Sequence, residues 1–290
     1  MIVVSSGCQS GAITAALAGM LPDDHVAVTA PFGPDASLHD ALAQTQTWVT
    51  SFSPDQIRQQ LAPLKIPPRV IAVPNLYFRG FHPDIFHTPH PAGGMLGSAA
   101  GEYSSALVLY GWRQGLDADQ IRRCFRAEVY QALGYYSVWS SALQVVRERF
   151  DDSDLAFADW YLPLVRGGAF MLTDNHPTVA ALVQLARQVA KLLNADPALV
   201  EMPWDTVIPD GLLATSTVWP VYPELAAVLG VRGGYVWRCR DGQLLGLEPF
   251  IEQTLRQYRD VDPQAVGGPH FIDDPQIAEL CAVHKRAGVA

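Results

Sequence analysis

The sequence has few charged residues, few cysteines and no long apolar run. Only 17% of its 290 residues are charged. No stretch of roughly 18 apolar residues occurs, so no transmembrane helix is predicted. The N-terminal residues lack both the charged segment and the long apolar segment of a secretory signal peptide. We therefore expect a cytoplasmic protein whose thiols are reduced.

The cysteines and histidines do not have the spacing of a metal site. The four cysteines stand far apart, at positions 8, 124, 239 and 281, and no two have the short separation of zinc ligands. The histidines at 82, 87 and 90 match no ligand pair of a helix or hairpin, so no metal is expected. The net charge of −9 argues against a broad nucleic-acid surface, because phosphate binding depends on clustered Lys and Arg side chains.

The opening stretch MIVVSSGCQSG carries the first candidate site. An apolar run predicts a strand, and a Gly-containing turn leads from it into a helix. A residue at such a turn lies at the carboxyl edge of the sheet, near backbone N–H groups that can lower a thiol pKa or hold an oxyanion. Cys8 is therefore placed like a nucleophile. The alternative is a small buried cysteine that fills a tight turn.

The order of the predicted elements indicates an α/β fold. Strands and helices are predicted in the order β-α-β-α-α-β, over 2–4, 12–20, 25–30, 37–49, 53–64 and 69–73. This order favours a mostly parallel central sheet with flanking helices. We expect a single domain over residues 1–290, with a helical insertion or lid over about 98–166 and a C-terminal extension over about 197–290.

A loop rich in aromatic residues, histidine and proline follows the last of these strands. It reads PNLYFRGFHPDIFHTPHP over 74–91, and a loop at the carboxyl end of a strand is a good place for binding residues. Asn75 can donate its amide N–H to an oxyanion, and Arg79 can meet a phosphate. His82 precedes Asp84 by two residues, so that Asp84 can orient it. The alternative is a packed loop whose histidines bond to the backbone.

A second strand, turn and helix are predicted further along the chain. Residues 169–172 read as a strand and 178–193 as a helix, with Thr-Asp-Asn-His-Pro between them. If this strand lies in the same sheet as the first, Cys8 and His176 can meet at one edge, and a cysteine activated by a histidine is a nucleophile. Asp174 or Asp84 can then orient the imidazole. The alternative is that Asp174 and Asn175 only cap the helix.

Three short motifs in order resemble the WcbI family of polysaccharide biosynthesis enzymes. They are GCQSG after the first strand, PNLYFRGFHPD in the middle loop and MLTDNHP before the later helix, and they span roughly residues 1–193. The family patterns are Gly-(Asn)-Cys-Gln, Gly-Tyr-His-Pro-Asp and Asn-His-Pro. This chain has Gly7 where the family has Asn and Phe81 where Tyr is common.

The resemblance implies a coenzyme A-binding acyltransferase, an O-acetyltransferase acting on a polysaccharide or a sugar precursor. The implied partners are an acyl-CoA donor and a sugar or polysaccharide acceptor. The residues that carry over are Cys8, Gln9, His82, Asp84, Asn175 and His176. With the residues argued above, the expected catalytic set is Cys8, His176, His82, Asp84 and Asp174. The expected cofactor-binding set is Gly7, Gln9, Ser10, Asn75, Arg79 and Asn175.

The mechanism that we hypothesise begins with Cys8. Its thiol, deprotonated by His176 or His82, attacks the thioester of acyl-CoA, and the acyl group then passes to an acceptor hydroxyl. Direct transfer without an acyl-cysteine is the alternative route. Three arginines of the helical insertion are further candidates for the CoA phosphates: Arg122, Arg123 and Arg126.

Two other classes of function remain open from the sequence. The first is an esterase or thioesterase with an arrangement similar to the SGNH esterases, which would use the same Cys-His pair with water as acceptor. The second is a non-catalytic protein that binds a nucleotide or CoA. Loss of turnover on replacement of Cys8 separates the enzymes from the binding protein.

Overall fold

The computed structural model describes residues 1–29, 36–208 and 217–282, which form two compact units. Unit one consists of the described residues of Met1–Phe78, Leu143–Met171 and Asn175–Leu213. Unit two consists of the described residues of Arg79–Ala142, Leu172–Asp174 and Ala214–Ala290. The assignment of all 290 residues to a single domain stays a prediction.

A four-stranded parallel sheet forms the centre of unit one. Its strands are β1 (Ile2–Ser5), β2 (Val26–Val28), β3 (Thr47–Thr50) and β4 (Arg69–Ala72), and their spatial order is β2-β1-β3-β4. Ile2 pairs with Val26 on one side and with Thr47 on the other. The β1 side chains are buried on both faces, as in sheets covered by helices on both sides. The predicted α/β fold with a mostly parallel sheet is confirmed.

Helices make up most of the rest of both units. In chain order they are α1 (Ser10–Met20), α2 (Ala36–Leu42), α3 (Pro54–Leu61), α4 (Ala106–Arg113), α5 (Ala118–Cys124), α6 (Ala127–Ala132), α7 (Val138–Asp151), α8 (Phe157–Leu164), α9 (Val179–Leu192), α10 (Pro197–Val200), α11 (Trp204–Val207), α12 (Pro223–Leu229), α13 (Leu247–Gln257) and α14 (Pro275–Ala282). Helices α4 to α8 lie in the segment predicted as helical insertion. Within the described residues, no helix is both long and apolar enough to span a membrane.

Local sequence explains where the helices of unit one begin and how they pack. Ser53 caps α3 in a capping box: its side chain accepts a hydrogen bond from the Gln56 N–H, and the Gln56 side chain accepts one from the Ser53 N–H at 2.9 Å. Helix α1 packs against α9. A Cβ at Gly19 of α1 would lie 2.4 Å from the Trp204 ring, so glycine is needed where this ring lies against the helix.

Two predictions of secondary structure are wrong. The helix predicted over 37–49 ends at Leu42, and β3 follows it in the interior of the sheet. Thr47 and Thr50 are buried there, and the Trp48 indole N–H donates to the Ser5 hydroxyl of β1 at 2.6 Å, so polar residues satisfy one another inside the sheet.

The strand predicted over 169–172 is also wrong. Met171 makes an isolated bridge with Pro177, and the described four-stranded sheet does not include this segment. Cys8 and His176 therefore do not both follow strands of one sheet, which was the condition on which their predicted meeting depended.

Unit two is built from helices and two short antiparallel hairpins. The hairpins pair β5 (Ile85–Phe86) with β6 (Ser104–Ser105), and β7 (Val236–Arg238) with β8 (Leu244–Gly246). The second hairpin turns at Gly242, whose φ of 87° is a left-handed value that suits glycine. The Trp237 ring of β7 stacks on Phe250 of α13, with ring centroids 4.1 Å apart. Large buried aromatic rings thus supply much of the core of this unit.

Candidate functional site

Cys8 lies in a tight turn between β1 and α1. Gly7 adopts a left-handed φ of 56°, which a residue with a side chain rarely adopts. The turn is held by hydrogen bonds from Gln9 N–H to Ser6 C=O at 3.0 Å and from Ser6 N–H to the Ser10 hydroxyl at 2.6 Å. The Cys8 side chain is exposed, whereas the other three cysteines are buried. The alternative of a buried, space-filling cysteine is therefore wrong.

The order of the strands places the Cys8 turn where parallel sheets commonly bind ligands. After β1 the chain continues to β2 on one side of it, and later returns to β3 on its other side. In open parallel sheets, ligands bind beyond the carboxyl ends of the strands. The binding site lies where one connection leads to a strand on one side and a later connection leads to a strand on the other side. Cys8 follows β1 at that point.

Gln9 joins this turn to the segment after β4. Its side chain is buried, and its Nε2 donates to Asn75 Oδ1 at 2.8 Å and to the Leu76 C=O at 3.0 Å. Its Oε1 accepts a hydrogen bond from the Leu76 N–H at 3.3 Å. These bonds hold the exposed Asn75 at the same edge as the Cys8 turn. Because Asn75 Oδ1 accepts from Gln9, its NH₂ group is the part of the amide left to donate to a ligand.

The pKa of the Cys8 thiol is raised above its ordinary value. Partial desolvation raises the pKa, and a hydrogen bond from the residue's own backbone N–H offsets this in part. A thiol in this state is mostly protonated at neutral pH, so a base has to remove its proton before it acts as a nucleophile.

Asn175 and His176 lie in a loop that is clamped at its base. Thr178 donates its backbone N–H to the Phe170 C=O at 2.9 Å, and its hydroxyl caps α9 by accepting from the Ala181 N–H at 3.3 Å. The helix is therefore capped by Thr178, and the interpretation that Asp174 and Asn175 serve as its cap is wrong. Both Asn175 and His176 are partly buried in this loop.

Asp174 belongs to unit two, where its carboxylate pairs with His87. The carboxylate Oδ2 lies 2.8 Å from His87 Nε2. Asp174 is completely buried, while 35% of the His87 side chain is exposed. The other carboxylate oxygen, Oδ1, has no hydrogen-bond partner among the described residues. The His87 ring meets the Tyr103 ring edge-on, with centroids 5.6 Å apart.

This pair was not predicted. From the sequence, the expected partner of Asp174 is His176, and no side-chain partner is predicted for His87. His87 and Asp174 are 87 positions apart, and no local pattern links them. In the described part of the chain, no group of three His, Cys, Asp or Glu side chains is arranged to hold a metal ion.

Asp84 is enclosed by hydrogen-bond donors. Its carboxylate accepts bonds from the hydroxyls of Ser105 at 2.5 Å, Tyr222 at 2.6 Å and Tyr135 at 2.8 Å, and from the Leu107 N–H at 3.1 Å. Burial raises the pKa of Asp84 to about 6, although each of these four bonds lowers it.

His82, two residues earlier, is also buried, with 2% of its surface exposed. The role of Asp84 in orienting His82 stays a prediction, as does the catalytic role of His82.

The arginines expected to bind phosphate already bond to the protein. Arg79 Nη2 donates to the carbonyls of Pro83 and Ile85 at 3.0 and 3.1 Å, and so ties its own loop together. Arg126 Nη2 donates to the Leu280 C=O at 2.8 Å. Arg122 and Arg123 both pair with Asp119 on the exposed side of α5. Their binding of CoA phosphates stays a prediction.

The fold and the Cys8 turn together define an α/β protein with a cysteine at the switch point of a parallel sheet. Residues 1–198 match the family described as polysaccharide biosynthesis enzyme WcbI. This chain belongs to that family.

A solved structure of WcbI itself shares the fold. It is described as a novel polysaccharide biosynthesis enzyme, in its native form without a disulfide bond between coenzyme A and one of its cysteines. The TM-score is 0.68 at 14% sequence identity, and the match covers 98% of this chain and 95% of that chain. At this identity the likeness is one of fold. No curated protein matches this chain.

Proposed function

We propose that this chain is an acyl-CoA-dependent acyltransferase, an O-acetyltransferase that acts on a polysaccharide or a sugar precursor. The observation that carries the proposal is the exposed Cys8 in the turn after β1, at the switch point of the sheet. The family is described as one of polysaccharide biosynthesis, and the description of the solved WcbI structure names coenzyme A together with a cysteine. Both statements agree with a thioester substrate at a cysteine.

In the first step the Cys8 sulfur attacks the thioester carbonyl of acetyl-CoA. A histidine, His176 or His82, removes the thiol proton, which the raised pKa of Cys8 makes necessary. A new bond forms between Cys8 Sγ and the acyl carbon, the bond from that carbon to the CoA sulfur breaks, and CoA leaves as a thiol with the proton from the histidine.

The oxyanion of this step needs hydrogen-bond donors that are already in place. Asn75 is suited to supply one, because Gln9 fixes its amide with the NH₂ group available. Gly7 and Ser10 flank the reacting sulfur in the turn, and Asn175 is assigned to the CoA side of the site. Gln9 itself acts as a positioning residue, since its bonds go to Asn75 and Leu76.

In the second step the acceptor hydroxyl attacks the acyl-cysteine. Its oxygen bonds to the acyl carbon, the bond to Cys8 Sγ breaks, and the proton of the hydroxyl returns to sulfur through a base. The products are an O-acetyl ester and the free Cys8 thiol, so all atoms and charges balance.

The test is intact-protein mass spectrometry after incubation with acetyl-CoA. The wild-type protein is expected to gain one acetyl group, which neutral hydroxylamine removes, and Cys8→Ala is expected to gain none. Cys239→Ala, which removes one of the buried thiols, is the matched control and should be acetylated like the wild type.

The other outcomes separate the competing functions. If acetyl-CoA is hydrolysed in a reaction that depends on Cys8 and that sugars do not suppress, the protein is a thioesterase and not an acyltransferase. Acetyl transfer to sugar without an adduct would indicate direct transfer. Binding of CoA without any turnover would leave a non-catalytic binding protein.

A further inference from the structure

Arg149 places a cation beside the residues that flank the Cys8 turn. It lies in the last turn of α7, and its Nη1 donates to the Asn75 C=O at 2.7 Å. The Asn75 side chain in turn accepts from Gln9, the residue after Cys8, at 2.8 Å. All four residues belong to unit one. These hydrogen bonds therefore connect Arg149 to the carboxyl edge of the sheet at which Cys8 lies.

The end of α7 is fixed to the end of strand β4. Asp154, just after the helix, donates its backbone N–H to the Ala72 C=O at 2.9 Å, and its carboxylate accepts the Ala72 N–H at 2.7 Å. The Arg149 guanidinium lies over the Tyr77 ring, with its Cζ 5.8 Å from the ring centroid. A backbone carbonyl and an aromatic face thus hold the guanidinium before any ligand binds, which lowers the entropic cost of binding.

The Arg149 guanidinium keeps hydrogen-bonding capacity for a ligand. A guanidinium carries five N–H donors, and the Asn75 carbonyl takes one of those of Arg149. Within residues 1–29, 36–208 and 217–282, no carboxylate forms an ion pair with Arg149. Its side chain is partly exposed. The guanidinium is therefore able to bind an anion that reaches this edge.

The position and the chemistry of Arg149 suit a phosphate group. Ligands of open parallel sheets bind beyond the carboxyl ends of the strands, and Arg149 lies there. The acyl-CoA donor proposed above carries phosphate groups, and arginine binds phosphate through two parallel N–H···O bonds. The arginines that the sequence suggested for this task all belong to unit two and bond to other protein groups: Arg79, Arg122, Arg123 and Arg126.

We propose that Arg149 binds a phosphate group of the acyl-CoA donor. This inference rests on the proposed acyltransferase function. Arg149 is a binding residue and takes no part in making or breaking bonds. Its contact with the phosphate is the same in the bound donor and in the transition state. Its loss should therefore raise the donor concentration needed for half-maximal acetylation and leave the maximal rate unchanged.

The experiment compares two acetyl donors with the full-length protein. S-acetylpantetheine has the thioester of acetyl-CoA but no phosphate group. Acetylation of Cys8 is followed by mass spectrometry over time and donor concentration. In Arg149→Ala the second-order rate constant with acetyl-CoA should fall about 10–100-fold, the loss expected for one hydrogen bond to a charged group. The rate constant with S-acetylpantetheine should equal that of the wild type.

A binding measurement tests the contact without the reaction. Isothermal titration calorimetry with CoA, under reducing conditions, should show a dissociation constant that Arg149→Ala raises by the same factor. Titration with 3′-dephospho-CoA then identifies the phosphate group. If Arg149 contacts the 3′-phosphate, the variant loses affinity for CoA only; if Arg149 contacts the diphosphate, the variant loses affinity for both ligands.

Arg147→Ala is the matched control, because it removes another cation of α7. The Arg147 guanidinium lies over the Phe157 ring, with its Cζ 5.1 Å from the ring centroid, and residues two positions apart lie on different faces of a helix. The acetylation rates and the CoA affinity of this variant should equal those of the wild type. An equal loss in both arginine variants would indicate an effect of net charge and would overturn the inference.

The remaining outcomes separate this inference from the proposed function. Unchanged rates and affinity in Arg149→Ala overturn the inference. An equal loss with acetyl-CoA and S-acetylpantetheine also overturns it, because Arg149 would then act only through Asn75. If the wild-type protein is not acetylated but binds CoA with an affinity that depends on Arg149, the covalent transfer is wrong and the phosphate contact stands. A wild-type protein that neither becomes acetylated nor binds CoA overturns both.

Discussion

Unit two buries two aspartates completely, and their surroundings differ. Asp84 accepts four hydrogen bonds from Ser105, Tyr135, Tyr222 and the Leu107 N–H. Asp174 has one partner, the imidazole of His87, and one oxygen without any in the described chain. A carboxylate surrounded by donors holds together the elements that supply them. A carboxylate with a single, partly exposed partner makes fewer bonds that hold the unit together.

The largest expected effect is a difference in protein stability between a variant of Asp84 and a variant of Asp174. Asp84→Ala leaves three hydroxyls and one N–H without their acceptor in a closed region, and should lower the free energy of unfolding by about 3–5 kcal/mol. Asp174→Asn removes a buried charge that has few partners, and should change it by less than about 1 kcal/mol. Urea unfolding of the two variants measures both. Equal losses would mean that the two aspartates contribute alike to stability, whatever the number of their hydrogen bonds.

The next effect is a pH dependence of stability that belongs to Asp84. Its folded pKa of about 6 lies above the ordinary value of 3.8, so the folded state holds a proton that the unfolded state has released. Stability should therefore fall as pH rises from about 4 to about 6, by at most on the order of 3 kcal/mol.

Unfolding free energies measured across this pH range test the assignment. In Asp84→Asn, which cannot titrate, this decline should be missing, whereas Asp174→Asn should retain it. A decline that survives in Asp84→Asn would assign it to other groups.

A smaller effect is expected when single donors to Asp84 are removed. Tyr135→Phe and Tyr222→Phe each delete one hydroxyl while keeping the ring, and each should lower the free energy of unfolding by about 1–2 kcal/mol. Each should also raise the pKa of Asp84 further, because its hydrogen bonds favour the carboxylate. NMR titration of the Asp84 carboxyl carbon checks the direction. A lowered pKa would mean that these hydroxyls do not stabilise the charge.

The smallest effect on stability is expected for the amide side chain of Asn75, which we compare with that of Gln9 in the same unit. The buried Gln9 uses both ends of its amide, whereas Asn75 uses only its oxygen. Asn75→Asp keeps an acceptor for Gln9 and removes the NH₂ donor, so the melting temperature should stay nearly constant. Acetylation of Cys8 should slow by about 10²–10³-fold. Gln9→Ala is the matched variant and should lose stability as well as rate; an Asn75→Asp protein that charges normally would exclude Asn75 as an oxyanion donor.

The sequence predicted those parts of the fold that depend on local pattern. The first and last strands of the sheet, the helix after the first turn and the Ser53 cap all follow from residues close together in the chain. Strand β3 was missed because its two threonines read as polar, and only their burial against β1 and β4 makes them strand residues. Tertiary environment overrides propensity for such short segments.

In the candidate site too, the features that follow from local pattern were predicted and those that depend on distant residues were not. Cys8 and Asn75 were placed correctly at one edge, because both follow strands of a parallel sheet and parallel order brings those ends together. The donors to Asp84 and the partner of Asp174 come from distant positions in a unit without such a sheet. No sequence pattern indicates which hydroxyl donates to which carboxylate. The sequence therefore does not distinguish the surroundings of Asp84 from those of Asp174.

The distribution of the four cysteines makes the natural protein ready for spectroscopy. Three thiols are buried and Cys8 is exposed, so a maleimide fluorophore or a nitroxide spin label should attach at this one position without any prior mutagenesis. The label would sit in the turn after β1. Its emission or its electron paramagnetic resonance spectrum would then report directly when a donor or an acceptor molecule arrives there.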